Sequence, residues 1–173
     1  ICIRNVPYKS DIDYLRQFCE DRNIHFIYRE TEFEPDRKEG RSHCFLCSWS
    51  RRKVMFRLAE ELECNKLALG HHKDDIAETL LMNQVFTGRF ESMPPKMTMD
   101  KFNLSVIRPL CEIRESELAE LATTQGYHRQ IKNCPFEEVG NRAKVKDLIR
   151  NLEQMNPDVV SSLFSAYISI IEK

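Results

Sequence analysis

Apolar residues along this 173-residue chain change period several times, and each change marks an element. Ile1-Cys2-Ile3-Arg4-Asn5-Val6 is a β-rich run. Asp11 to Glu20 then carries Ile12, Leu15, Phe18 and Cys19 at the spacing of one helical face, and Ile24 to Tyr28 is strand-like again. Apolar strands on either side of a helix predict a βαβ unit, in an α/β fold whose parallel sheet is covered by helices on both faces. Thr31 to Ser42 is polar, contains Pro35 and Gly40, and predicts a loop leading to Cys44. Arg51 to Glu63 predicts a helix with Val54, Met55, Leu58, Ala59 and Leu62 inward, and Lys66 to Leu69 the next strand. The following helix, capped by Asp74 or Asp75, runs through Ile76, Leu80 and Leu81 to Phe86, with Gly88 suited to its end. Ser92 to Met97 reads as loop, Leu104 to Leu110 as a strand and Ser116 to Thr124 as an amphipathic helix closed by Gly126. Arg142 to Lys173 predicts two helices divided by Asn156-Pro157.

The strand-to-helix junction Gly70-His71-His72-Lys73-Asp74-Asp75 packs two imidazoles and two carboxylates into one turn. Open α/β sheets bind ligands beyond the carboxyl ends of their strands, so such a turn predicts chemistry rather than core. Asp74 and Glu78 are four apart and share a helical face, with Asp75 about a quarter-turn away. Their like charges favour a cation nearby, Mg²⁺ or part of a substrate. The simpler alternative is that the aspartates stabilise the helix N-terminus and its dipole.

Composition narrows the class. Apolar residues make up 42% and charged ones 31%, and no apolar run approaches the roughly 18 residues of a membrane span, so no membrane partner is expected. Seven cysteines scattered through regular elements read as reduced thiols with a metal set, not as a secreted disulfide framework. With no signal-peptide or lipidation pattern, a cytoplasmic location is expected. A net charge of -1 excludes a globally basic nucleic-acid binder but leaves room for a local patch.

Cys44-Phe45-Leu46-Cys47 holds two thiols at metal-ligand spacing, and Cys134 is the obvious third. A four-iron cluster on three cysteines leaves one iron open to an exogenous ligand, which suits sulfur chemistry. A zinc site would take His43 or His128 as fourth ligand, and a redox pair and ordinary cysteines are further alternatives. Cys2, Cys19, Cys64 and Cys111 are more simply small buried hydrophobes. Arg51 and Arg52 follow the pair closely, where a guanidinium can steady phosphate or adenylate charge. Arg142, Lys146 and Arg150 recur every four residues and read as an RNA-backbone stripe or as a solvated face. Pro94-Pro95-Lys96 is a stiff corner suited to a site mouth or to a linker, and Trp49 covers the metal, stacks a base or simply packs.

Cys44-Phe45-Leu46-Cys47-Ser48 with Arg51-Arg52, the run Leu67 to Leu80, Met93-Pro94-Pro95-Lys96-Met97 and Ile107-Arg108-Pro109-Leu110 together resemble the tRNA 2-thiocytidine synthetase family of the PP-loop ATPase superfamily. The resemblance runs from residue 1 to about 150. It implies an adenine nucleotide alpha hydrolase-like fold, with residues 1–136 as the α/β domain and 137–173 as a helical extension. It implies an enzyme that activates C2 of an anticodon-loop cytidine in tRNA with ATP and Mg²⁺ and replaces its oxygen by sulfur, with a [4Fe-4S] cluster on Cys44, Cys47 and Cys134. Implied with it are catalytic roles at Asp74, Asp75 and Arg51, nucleotide contacts at Gly70, His71, His72 and Asp75, and RNA contacts at Arg52, Lys96, Arg142, Lys146 and Arg150. The partners implied are tRNA, a sulfur donor such as a cysteine desulfurase, and a second copy in a homodimer. The family's Ser-Gly-Gly-x-Asp-Ser phosphate loop is not found in these 173 residues, and Ile1 corresponds to the family's second strand. The expectation is therefore of an N-terminally incomplete fold whose 173 residues alone are inactive.

Overall fold

In the computed structural model, residues 1–6, 10–32, 43–129 and 140–172 are described. They fall into two compact units, residues 1–63 with His128 and Arg129, and residues 64–127 with 140–172. The class is α/β, as the periodicity predicts, with small sheets and six α-helices among the described residues.

In the first unit β1 (Cys2–Ile3) runs parallel to β2 (Glu30–Thr31). The Cys2 amide donates to Arg29 O at 2.8 Å and the Arg4 amide to Thr31 O at 2.9 Å. The second strand was expected at Ile24 to Tyr28. It lies further along because β1 finds its hydrogen-bonding register at residues 29–31, and a strand is fixed by where its amides pair, not by the apolar run alone. Between the strands, α1 (Ile12–Glu20) begins at Asp11, whose carboxylate accepts the Tyr14 amide at 3.0 Å. The His128 ring stacks on Tyr14 at 4.2 Å, and its amide donates to the Tyr14 hydroxyl at 3.1 Å.

The next helix also departs from expectation. α2 (His43–Glu61) starts before Arg51 and takes in the whole Cys44–Cys47 pair. No Gly or Pro interrupts residues 43–61, and Leu46 and Ser50, one turn apart, continue its buried side ahead of Ala59, whereas Leu62 lies past its end and is exposed. Leu46 packs with Ile3, Val6, Phe45 and Cys47 into the small core of this unit.

The second unit holds a three-stranded sheet in the order β3 (Lys66–Ala68), β5 (Leu104–Ile107), β4 (Lys96–Met99). β3 and β5 are parallel, with Ala68 opposite Ile107, and β4 runs antiparallel to β5. The Pro94-Pro95-Lys96 corner, read as loop up to Met97, thus turns into an edge strand at Lys96. An exposed edge strand carries no apolar alternation to betray it, and its partner supplies the order. Asn103, at φ 44°, closes the connection to β5.

α3 (Lys73–Thr87) presents Ile76, Ala77 and Leu80, all fully buried, to α5 (Asn141–Met155) and α6 (Val159–Ile171). Ile76 and Leu80 meet Cys111, Tyr167 and Phe164; Ala77 meets Val145, Ile149 and Val160. Each fully buried Ile or Leu contributes about 1.5–3 kcal/mol, so the last two helices hold α3 in place. Gly88 ends α3 in the left-handed conformation at φ 65°, and α4 (Glu115–Thr124) precedes Gly126, also at φ 65°. No helix among the described residues is long and apolar enough to cross a membrane.

Candidate active site

The turn between β3 and α3 lies beyond the carboxyl ends of the parallel strands β3 and β5, where the Leu69 amide still donates to Ile107 O at 2.9 Å. The N-cap of α3 is His72, not Asp74 or Asp75. Its Nδ1 accepts the Asp75 amide at 3.4 Å, and the Asp75 carboxylate accepts the His72 amide at 3.1 Å. This reciprocal pairing satisfies two amides that a helix start leaves open. Because Nδ1 accepts, the ring proton of neutral His72 sits on Nε2, 3.4 Å from Asp75 Oδ2.

The aspartates then diverge. Asp74 accepts from Arg114 Nε at 3.1 and 3.3 Å and from the Glu115 amide at 2.7 Å, so its carboxylate caps α4. Arg114 reaches on to Glu153 of α5 at 2.8 Å, and the Lys73 amide donates to Ile113 O at 2.9 Å. Asp75 faces Arg142, whose Nη1 donates to Asp75 Oδ1 at 3.0 Å and to Glu78 Oε2 at 3.1 Å, while Nη2 reaches Thr79 Oγ1 at 3.3 Å. The expected sharing of a face by Asp74 and Glu78 is replaced by a pairing of Asp75 with Glu78, because a guanidinium from α5 lies between those two. The cation that the clustered carboxylates call for is, in this structure, Arg142.

Burial shifts the titration of two groups. Glu78 is nearly inaccessible, and desolvation raises its carboxyl above the ordinary range, against the opposing pull of Arg142. His71 is held below the ordinary imidazole value by burial first, with Arg108 and Arg142 acting the same way and Asp75 against them. A methyl group added at Gly70 would meet no atom within 4 Å, so the approach to the turn is open there.

Of the expected site residues, His72, Asp74, Asp75, Arg142 and Lys146 belong to one network, Lys146 through an ion pair with Glu115 at 2.6 Å, while Gly70 and His71 precede it on the same turn, His71 with its Nδ1 buried and unpaired. Arg150 does not join it and pairs with Asp147 at 2.7 Å on an exposed surface. Lys96 is exposed at the start of β4. Cys44, Cys47, Arg51 and Arg52 all lie on α2 in the other unit. The two cysteines are three apart in its first turn, so their thiols share a side; Cys44 is exposed and Cys47 partly buried. Two thiols so placed fit a thiolate-ligated metal or cluster. Cys134 falls outside the described residues, and among those described no three metal-binding side chains converge. Arg52 Nε donates to Ser48 O at 3.2 Å, and Lys53 Nζ stands 5.2 Å from the Trp49 ring.

Three further residues stand at this turn that the sequence pattern does not mark as site residues: Glu78 through its pairing with Arg142, Arg114 and the buried Arg108. Arg108 carried a signal, an arginine in an apolar strand end. Arg114 carried none, because its role depends on partners 40 and 39 residues away.

A family profile described as the PP-loop domain matches residues 3–131. The tRNA-cytidine(32) 2-sulfurtransferase of Geobacter sulfurreducens is 38% identical over 168 residues, which cover 92% of this chain and 63% of the relative. That of Cupriavidus necator is 39% identical over 134 residues, 77% of this chain and 43% of the relative. Among solved structures, the U34-tRNA thiolase NcsA from Methanococcus maripaludis with its [4Fe-4S] cluster superposes with a TM-score of 0.73 at 29% identity, over 96% of this chain and 58% of that one. The chain thus spans less than two thirds of the length of the relatives it matches.

Proposed function

Because the chain belongs to the PP-loop domain family, we propose that this protein is an ATP-dependent tRNA sulfurtransferase, exchanging the C2 oxygen of an anticodon-loop cytidine for sulfur. The observation that carries the reading is the turn at 70–75, where titratable side chains are fixed by hydrogen bonds beyond the carboxyl ends of two parallel strands. Relatives named for the same reaction support the choice of cytidine.

Oxygen at C2 of cytosine leaves poorly. Adenylation by ATP lets it depart as AMP, and a cationic pocket with Mg²⁺ stabilises the charge that develops. In this reading Asp75 is the carboxylate at the nucleotide and metal, since its partner Arg142 is half-exposed and can turn away. Asp74 holds the turn through α4, and Gly70, His71 and His72 line the nucleotide. Arg51 steadies phosphoryl charge beside the cysteines. Cys44, Cys47 and Cys134 would hold a [4Fe-4S] cluster, which when bound offers an iron site for sulfur. Arg52, Lys96, Arg142, Lys146 and Arg150 are the proposed RNA contacts; Arg142, Lys146 and Arg150 are now paired with carboxylates, so Arg52 and Lys96 carry most of this expectation. Residues 1–136 are taken as the PP-loop ATPase-like domain and 137–173 as its extension. A cysteine desulfurase as sulfur donor, a homodimer and a cytoplasmic location complete the proposal.

Mass spectrometry of tRNA nucleosides from cells lacking the gene tests it. Loss of 2-thiocytidine is expected, and an unchanged nucleoside profile refutes the reading.

A further inference from the structure

Lys96, Ile107 and Ala68 occupy one row across the sheet, at the carboxyl ends of β3 and β5. Because β4 runs antiparallel to β5, the residues ahead of Lys96 continue past that row on the side where the turn at 70–75 lies. Pro94-Pro95 therefore stands at the mouth of the candidate site, and it is held there from several directions. The Arg108 amide donates to Pro95 O at 2.9 Å, and Arg108 Nη1 donates to Pro94 O. Ser92 Oγ donates at 2.7 Å to the carbonyl of Ile76, the residue after Asp75, and Asn83 Nδ2 donates to Glu91 O at 2.8 Å. Met93 packs against the cluster of Ile76, Leu80, Cys111 and Tyr167.

A plain linker has no need of such anchoring. Connections that run over a surface leave most of their carbonyls to water, whereas here the carbonyls of residues 91, 94 and 95 all take protein donors, one of them a guanidinium only 6% exposed. The two prolines also fix their own φ angles, so the segment is stiff as well as anchored. Its outer end carries charge to solvent: Lys96 is exposed, and among the described residues no carboxylate pairs with it. Arg142, Lys146 and Arg150, by contrast, each hold a carboxylate. We propose that residues 92–96 form a rigid wall at the mouth of the site that seats substrate RNA, with Ser92 and Arg108 as the positioning residues that hold it against the first turn of α3. An unpaired lysine on a backbone already fixed in place meets a phosphodiester with little ordering left to be done. That this RNA is tRNA rests on the proposed function; the anchored wall does not.

The test uses the full-length protein and its Ser92→Ala variant, well below the melting transition, where both are folded. Hydrogen exchange read by mass spectrometry should run about tenfold faster over residues 89–93 in the variant, with α3 unchanged. If the wall is then seated about a tenth of the time, the dissociation constant for unfractionated tRNA, followed by fluorescence anisotropy, rises about tenfold. A merely structural role for Ser92 would lower the melting temperature and leave that constant where it was. Arg108→Lys, which keeps the charge but not the reach to Pro94 O, should repeat the pattern; if it does not fold, Ser92→Ala decides alone. Lys96→Gln should lower the slope of log affinity against log salt by about one. Unchanged exchange in Ser92→Ala overturns the anchoring; faster exchange with an unchanged dissociation constant, or an unchanged salt slope in Lys96→Gln, overturns the RNA assignment. None of these measurements needs ATP, sulfur or a cluster, so failure here is distinguishable from failure of the thiolation reading.

Discussion

Replacing Asp74 by alanine separates a positioning role from a chemical one. The carboxylate is 13% exposed and makes two kinds of contact. Its bond from the Glu115 amide, at 2.7 Å on the first turn of α4, is charge-assisted and worth roughly 1.5–3 kcal/mol. Its pairing with Arg114 adds less than a buried ion pair usually does, because Arg114 keeps Glu153 at 2.8 Å and is not left bare. The expected loss is about 3 kcal/mol, or a fall in Tm of roughly 6–12 °C for a chain of this size. Asp74→Asn keeps an acceptor for Glu115 but turns an amide toward Arg114, and should lose about half as much. Urea unfolding followed by circular dichroism, with the m value unchanged, measures both. A double-mutant cycle with Arg114→Ala should show a coupling of about 1 kcal/mol or more. A loss below about 0.5 kcal/mol, within the range of ordinary surface substitutions, would refute the assignment. A variant of full stability that no longer thiolates tRNA would instead place Asp74 in the chemistry.

Asp75→Asn should cost no more than about 1 kcal/mol, since the amide oxygen still accepts from His72, yet slow thiolation roughly a hundredfold; normal nucleoside formation in a single-turnover assay would return Asp75 to a capping role. Glu78 has its pKa raised in the fold, so its contribution is fully present at low pH and is lost as pH rises through the raised value. Glu78→Gln should therefore gain in stability relative to wild type from acid toward neutral pH, and the opposite trend in urea midpoints would show that Arg142 outweighs burial. His71 is the reverse case: its lowered pKa supports the fold at neutral pH and is lost in acid, so His71→Asn should flatten the acid limb of the stability profile. Anaerobically purified protein should carry about four iron and four sulfide per chain, lost in Cys44→Ala, Cys47→Ala and Cys134→Ala but kept in Cys19→Ala; zinc in their place would refute the cluster.

What was legible in the chain was periodicity and chemical crowding. Helices α3, α5 and α6 carry long apolar repeats and short breaks at Gly88 and Asn156-Pro157, and they lie close to where that pattern puts them. The turn at 70–75 was visible because five titratable groups in six positions contradict core composition. β2 and β4 were missed because their order comes from distant partners, Cys2–Ile3 and Leu104–Ile107, and not from their own residues. The start of α2 was missed because a Cys-x-x-Cys pair reads as a loop motif, whereas Leu46 commits it to a helix. Within the site, spacing along one helix suggested Asp74 beside Glu78; the ion pairs were decided by Arg114 and Arg142, which no local pattern links to those carboxylates.

Arg142 and Glu153 both stand on α5, and each contacts the network that fixes the start of α3. Opening α5 from the rest of its unit would strip Asp75 and Glu78 of their guanidinium and leave Arg114 with Asp74 alone, so the turn and the helix exchange their amide hydrogens as one cooperative block. Shortening the protein ahead of residue 142 would accordingly remove more than a terminal appendage. It would leave the carboxylates of Asp75 and Glu78 without the guanidinium that offsets them, and the fragment would owe whatever order it kept there to added salt or to a bound cation.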